Sequence, residues 1–287
     1  MDIHLISPEN QKEWAWPATA NFTLGSAGAG FYIVSVFAML FENGISAMTE
    51  PLFMGLLSPA MMGFGFILLA MEAGRPSRGR YLLRNIHRSW ISRETLAFVL
   101  FIPAVILDQL FPGPVFKTWA ILSALFFMVS QGFIVYSSRA MTTWNKSIIP
   151  IFFLSSGFTS GAGVALALSA TGRVLPETGL GLASLICVIL NSAIWFSYMR
   201  CSKTADYRSA TRTLRRPVAI FITVVFGHIF PALMLLLFLL WPSIVMETSF
   251  QGPFAVVVGL AIIIGVMAQK AGIIQSAGYT RKICLKS

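Results

Sequence analysis

Eight apolar runs divide this chain, at 19–43, 52–73, 94–110, 116–137, 148–169, 179–199, 217–240 and 254–272, and 19 of its 21 Lys and Arg residues fall on one side of them. Each run has about the 20 residues that an α-helix needs to cross a hydrocarbon core of about 30 Å. An even number of crossings returns both termini to one face. That face carries Lys12, six Arg in the loop from Arg75 to Arg93, Arg139 and Lys146, six cations from Arg200 to Arg216, and Lys270, Arg281, Lys282 and Lys286. The opposite face holds only Lys117 and Arg173. Short loops with this bias obey the positive-inside rule, so the basic face, with both termini, is expected to be cytoplasmic.

The fold expected is therefore all-α: a polytopic membrane protein with eight transmembrane helices in a single integral domain over residues 1–287. With 56% hydrophobic and 11% charged residues there is no room for a separate soluble domain. The segment from Met1 to Lys12 lacks the basic start and apolar stretch of a cleavable signal, so the first span is expected to be retained. A net charge of +10 concentrated in two loops and a tail suits anionic headgroups or a docked protein, not nucleic acid. Cys187, Cys201 and Cys284 form no Cys-x-x-Cys and no Cys/His cluster, which argues against an iron–sulfur cluster or zinc in this chain. Only His228 lies mid-membrane, whereas a bis-His haem needs two ligands on facing helices, so no haem is expected.

Helices in lipid associate where small residues let backbones approach. Gly25, Ser26, Gly28 and Gly30 in the first span and Gly157, Gly161 and Ala165 in the fifth mark these two as bundle centres. Pro103, Pro150 and Pro231 bend or start their helices but occupy no matching positions in the two halves, so the inverted repeat of a transporter is absent.

Each carboxylate within a span demands a reason. Glu72 ends the second run at the basic face, in Met71-Glu72-Ala73-Gly74-Arg75-Pro76. It admits two readings, a boundary ion pair with Arg75 or a following Arg, or a desolvated carboxyl that exchanges protons with a bound ligand. Asn21, Gln131, Tyr136, Asn191 and Gln269 gather near the same edge, flanked by Trp14, Trp16, Trp90 and Trp144 as interfacial anchors. His228 reads as a hydrogen-bonded structural histidine. Glu42, Glu50, Asp108, Glu177 and Glu247 fall at helix ends or loops on the sparse face and are expected to be solvated. No chain of acids crosses the bilayer, which argues against a proton pump.

Two stretches resemble the membrane-anchor subunits of the dimethyl sulfoxide reductase and polysulfide reductase group, the DmsC/NrfD/PsrC-type proteins. One is Glu13-Trp14-Ala15-Trp16-Pro17 followed by Gly25 and Ala29-Gly30-Phe31. The more specific one is Glu72-Ala73-Gly74-Arg75-Pro76-Ser77-Arg78, continued by Ser89-Trp90-Ile91-Ser92-Arg93-Glu94 at the start of the third helix. The motifs cover about the first third of the chain, and the span count fits throughout. The resemblance implies a quinone-reactive subunit of a bacterial or archaeal cytoplasmic-membrane oxidoreductase, itself without haem or cluster and not catalytic for the substrate half-reaction. Menaquinone or ubiquinone would exchange electrons with a ferredoxin-like iron–sulfur subunit, and that subunit with a molybdenum or tungsten pterin subunit. It points to Glu72 as the proton-handling acid, to Trp16, Asn21, Arg75, Gln131 and Tyr136 around the quinone, and to Arg78, Arg80, Arg84, Arg88 and Arg93 as the partner-docking surface. A secondary transporter and a purely structural anchor are the rival readings; polar groups gathered at one edge instead of the midplane disfavour the transporter.

Overall fold

The computed structural model describes residues 3–5, 9–11, 14–41, 51–72, 76–139, 141–170, 178–241, 251–276, 279–280 and 283–285. Among these, eight helices are long and apolar enough to cross a membrane. They are α1 (Trp16–Phe41), α2 (Pro51–Glu72), α3 (Trp90–Leu110), α4 (Pro114–Tyr136), α5 (Ile148–Ser169), α6 (Thr178–Arg200), α8 (Pro217–Leu240) and α9 (Gln251–Ala271). A 3₁₀ segment, Pro76–Asn85, precedes α3, and the short helix α7 (Ala205–Ala210) lies between α6 and α8. The two tails meet: Ile3–Leu5 pairs antiparallel with Ile283–Leu285, and Glu9–Asn10 with Tyr279–Thr280. Both termini therefore share one side, as the even number of spans requires.

The small-residue stripes lie where the bundle is tightest. A Cβ on Gly30 would sit 2.0 Å from the Gly157 carbonyl oxygen, and one on Gly161 would sit 2.2 Å from the Gly30 carbonyl carbon, so α1 and α5 touch backbone to backbone. α1 is the most enclosed span, followed by α5 and α4. α1 packs on α2, α4 and α5, with α3 against α4; on the other side of α1 and α5 stand α6, α8 and α9. Side chains such as Leu122, Ile151, Leu190, Leu236 and Ile264 point outward, the pattern of a bundle immersed in lipid.

α8 is not regular. Its residues Phe221–Ile229 form a π-helical stretch that gives way at Phe230 to an α-helix with Pro231 in its first turn. Proline supplies no amide to the ladder, so the register changes there at little cost. α7 closes the basic end: the Tyr207 phenol donates to the Tyr198 carbonyl at 2.5 Å, and burial pushes its ionisation well above the usual tyrosine range.

Three readings of charge change in the folded chain. α3 begins at Trp90, four residues earlier than its hydropathy suggests, because the Ser89 side chain caps it by accepting from the Ser92 amide at 3.3 Å. Glu94 is thereby carried a full turn into the span. Asp108, expected in water, is buried and accepts from the Tyr32 hydroxyl at 2.9 Å; a helix-end position hid a partner 76 residues away. Lys270, counted among the cations of the basic face, is completely enclosed. Glu42, Glu50, Glu177 and Glu247 lie outside the described residues.

Candidate functional site

The residues Asn21 and Gln131 converge on an acid that span boundaries alone left at a helix start. Glu94 is wholly buried, and its Oε1 accepts from the Gln131 carboxamide at 2.9 Å and from the Asn21 carboxamide at 3.4 Å. Asn21 and Gln131 are wholly buried too. The remaining acceptors, Glu94 Oε2 and the carboxamide oxygens Asn21 Oδ1 and Gln131 Oε1, have no partner among the described residues. Three unpaired acceptors in one enclosed cluster are unusual, since buried polar atoms are nearly always paired. Their common need is a donor.

Space is made for this cluster by Gly65 of α2, where a Cβ would come within 2.9 Å of Asn21 Oδ1. Beside it, the rings of Phe66, next to Gly65, and Phe98, one turn on from Glu94, meet at a tilt with centroids 5.2 Å apart across the seam between α2 and α3, both half-exposed.

Glu72 is placed differently. It is half-buried at the end of α2, and its two oxygens accept from the amides of Ala15, at 2.5 Å, and Ala18, at 3.0 Å. These are orphan donors at the start of α1, where the helix dipole also favours a negative charge. Arg75 lies outside the described residues. Trp16 opens α1 and is 58% exposed. Tyr136 stands apart from Glu94, on an apolar groove of about 380 Å³ that it lines with Val129, Phe133, Ser147, Pro150, Ile151 and Leu154.

In the basic loop, Arg93 folds back on its own chain. It donates to the carbonyls of Ile86 and His87 at 2.9 Å each and lies 4.1 Å over the Trp90 ring, which stacks on Phe133 at 4.3 Å. Arg84 and Arg88 are exposed, Arg84 resting over Tyr81. Arg78 and Arg80 lie in the 3₁₀ segment, with side chains outside the described ones. Trp144 is a core residue more than an anchor, buried with its indole N–H on the Ile273 carbonyl at 2.8 Å and stacked on Trp14.

A second polar cluster joins α5, α6, α8 and α9. Asn191 donates to Gln269 Oε1 at 2.9 Å and lies 3.0 Å from His228 Nε2, while its own oxygen accepts from Ser155 at 2.9 Å. His228 Nδ1 faces the Thr223 carbonyl within the π stretch. A carbonyl only accepts, so the proton sits on Nδ1 and Nε2 receives the amides of Asn191 and Gln269.

The geometry of the basic edge coincides with the stretch that carries the family motifs. The family model for the DMSO reductase anchor subunit (DmsC) matches residues 11–270. The chain belongs to this family. A comparison with curated proteins gives no match. Members of the DMSO reductase anchor family hold a DMSO reductase-type complex at the membrane, and the eight spans supply that hold here. Of the enclosed cluster, Asn21 and Gln131 are legible in the sequence as polar residues near the basic edge, whereas Glu94 stands there only within a motif. The cap at Ser89 was the signal that would have placed the acid inside the membrane.

Proposed function

We propose that this anchor subunit binds quinol or quinone, menaquinone or ubiquinone, at the basic edge of α1–α4 and exchanges its electrons with an iron–sulfur subunit. That subunit in turn serves a molybdenum or tungsten pterin subunit. The observation that carries the reading is the Glu94 cluster, a buried carboxylate with one oxygen unpaired beside two further unpaired acceptors. A quinol gives up two protons with its two electrons when it is oxidised.

The residues fit a hydroxyl-bearing headgroup. Gln131 and Asn21 fix Glu94 Oε1, which leaves Oε2 to accept a proton. Asn21 Oδ1 and Gln131 Oε1 remain to accept from a hydroxyl. Glu72 binds the first amides of α1 and so sets the position of Asn21, one to two turns on; it also stands at the lip of the span as a second carboxylate through which a proton leaves. The Phe66–Phe98 seam is the entrance from lipid, since α2 and α3 pack more loosely than α1 and α2 or α3 and α4. Enclosure by aromatic rings keeps water from the reacting oxygens.

The exposed Arg84 and Arg88, with Arg78 and Arg80 on the same segment, receive carboxylates of the iron–sulfur subunit through forked contacts. Arg93 shapes the loop that presents them. The basic face is then cytoplasmic, in a bacterial or archaeal cytoplasmic membrane.

In the assembled complex, Glu94→Gln is expected to lower quinol turnover by about a hundredfold or more with insertion unchanged. Glu72→Gln is expected to act less steeply, through the position of α1. Wild-type quinol kinetics in both variants would remove the carboxyls from the reaction and with them this reading. Replacing Arg84 and Arg88 together by Gln is expected to release the partner subunits from membranes at moderate salt; retention there excludes the docking role.

A further inference from the structure

The groove that Tyr136 lines runs along the outer seam between α4 and α5. Val129, Phe133 and Tyr136 form one wall and Ser147, Ile151 and Leu154 the other, each set at the four- and three-residue steps of a single helix face. At 1.5 Å per residue these walls extend about 10 Å from the basic edge toward the middle of the membrane. On the inner side the two helices touch: Gly132 is buried, and a Cβ on it would stand 2.5 Å from the Pro150 Cα. On the outer side Ile151 is 55% exposed, so the groove opens to the surface that lipid covers.

Its polarity is one-ended. Tyr136 and Ser147 bring hydroxyls to the basic edge, and the rest of the lining is apolar. The connection from α4 to α5 is held at this end by a run of tight turns, in which the amides of Met141, Trp144 and Ile149 donate to the carbonyls of Ser138, Met141 and Lys146. The Asn145 carboxamide donates to the Tyr136 carbonyl at 3.0 Å and so ties the connection back to the end of α4. Between Tyr136 and Ile148 the chain carries Arg139 and Lys146 and no acid. Arg139 is exposed, three residues past Tyr136; Lys146 directly precedes Ser147 and lies over the Tyr207 ring at 5.4 Å.

Acyl chains alone give such a groove no selectivity, because every chain around it is equally apolar. A cationic mouth does, through the phosphate that the chain carries. We propose that this groove is a binding site for an anionic phospholipid of the phosphatidylglycerol type. One acyl chain lies between the α4 and α5 stripes, the phosphate meets Arg139 at the mouth, and Lys146 adds charge beside it. Tyr136 and Ser147 are the hydroxyl donors that face the headgroup. The site is separate from the quinol reading, since Gln131, on the same helix as Tyr136, turns inward to Glu94.

The test uses the purified complex reconstituted with phosphatidylglycerol and an excess of phosphatidylethanolamine, then washed in detergent, with the retained lipids and quinone counted by mass spectrometry. Phosphatidylglycerol is expected to be enriched over its share of the mixture. Arg139→Gln combined with Lys146→Gln is expected to lower its retention about tenfold or more. Ile151→Trp, which fills the groove from its exposed side and leaves the charges in place, is expected to do the same. Retained lipid that mirrors the mixture overturns the site, and so does phosphatidylglycerol that survives either change. Loss of bound quinone in Ile151→Trp with phosphatidylglycerol kept would assign the groove to an isoprenoid tail instead. A dimer of this chain that Ile151→Trp separates would assign it to a second copy. If the doubly neutralised variant fails to assemble, Ile151→Trp decides by itself.

Discussion

Two polar clusters of similar composition lie toward the basic half of the bundle, on different sides of α1, and they differ in how completely their atoms are used. Ser155, Asn191, His228 and Gln269 form a closed set in which each side chain finds a partner, down to the imidazole proton on the Thr223 carbonyl. Asn21, Glu94 and Gln131 form an open set with three oxygens unpaired. Both contain carboxamides from facing helices; one also contains an acid. A closed set in lipid fixes helix positions, because any other arrangement leaves a polar group in hydrocarbon. An open set retains binding capacity at a cost in stability, which is the mark of a site that expects a ligand.

The same substitution made in each cluster separates the two roles. Gln131→Leu removes the nearer donor to Glu94 and one unpaired oxygen, and is expected to lower quinol turnover by roughly a hundredfold. The unfolding midpoint is expected to fall as well, because the change takes from the buried Glu94 carboxylate its 2.9 Å bond, so the loss of turnover is what distinguishes this cluster. Turnover unaffected by this change would mean the open set is not the reacting one.

Gln269→Leu is the counterpart on the closed side. It strips Asn191 and His228 of one partner each and is expected to destabilise the chain by about 2 kcal/mol, with KM and kcat for quinol close to wild type. A loss of turnover in place of stability would make the π-helical stretch of α8 part of the reaction, and the contrast between the clusters would collapse.

The sequence made the closed set easier to anticipate than the open one. His228 and Asn191 stand inside their apolar runs, so their need for partners follows from position, while Gln269 stands three residues from the end of its own. Likewise the glycine stripes of α1 and α5 announced the contact of Gly30 with Gly157 and Gly161, because close approach has a direct compositional cause. Glu94 escaped because hydropathy penalises charge: a run drawn over 94–110 leaves Arg93 outside and makes Glu94 its first residue, at the interface, and only the Ser89 cap shows that the helix has already started. Lys270 escaped for a different reason. A lysine near the end of a span ordinarily extends to the interface, and nothing local says that Phe22 and Ser26, far away in the chain, will hold it within.

Asp108 offers the finest division between a closed and an open group, since one carboxylate shows both conditions. Its Oδ2 accepts from Tyr32 at 2.9 Å, and its Oδ1 has no partner among the described residues. It lies on α3 at the end opposite Glu94, among buried apolar side chains that include Phe101 and Val105. If the acid only fastens α3 to α1, then Tyr32→Phe removes the one bond that matters and should cost about 1 kcal/mol of stability, with quinol turnover unchanged. Asp108→Asn, which keeps an acceptor for the phenol, should then cost less than Tyr32→Phe in the same unfolding assay. The reverse order would show that the negative charge itself, and not the hydrogen bond, is what the far end of α3 requires, and would align Asp108 with the open cluster.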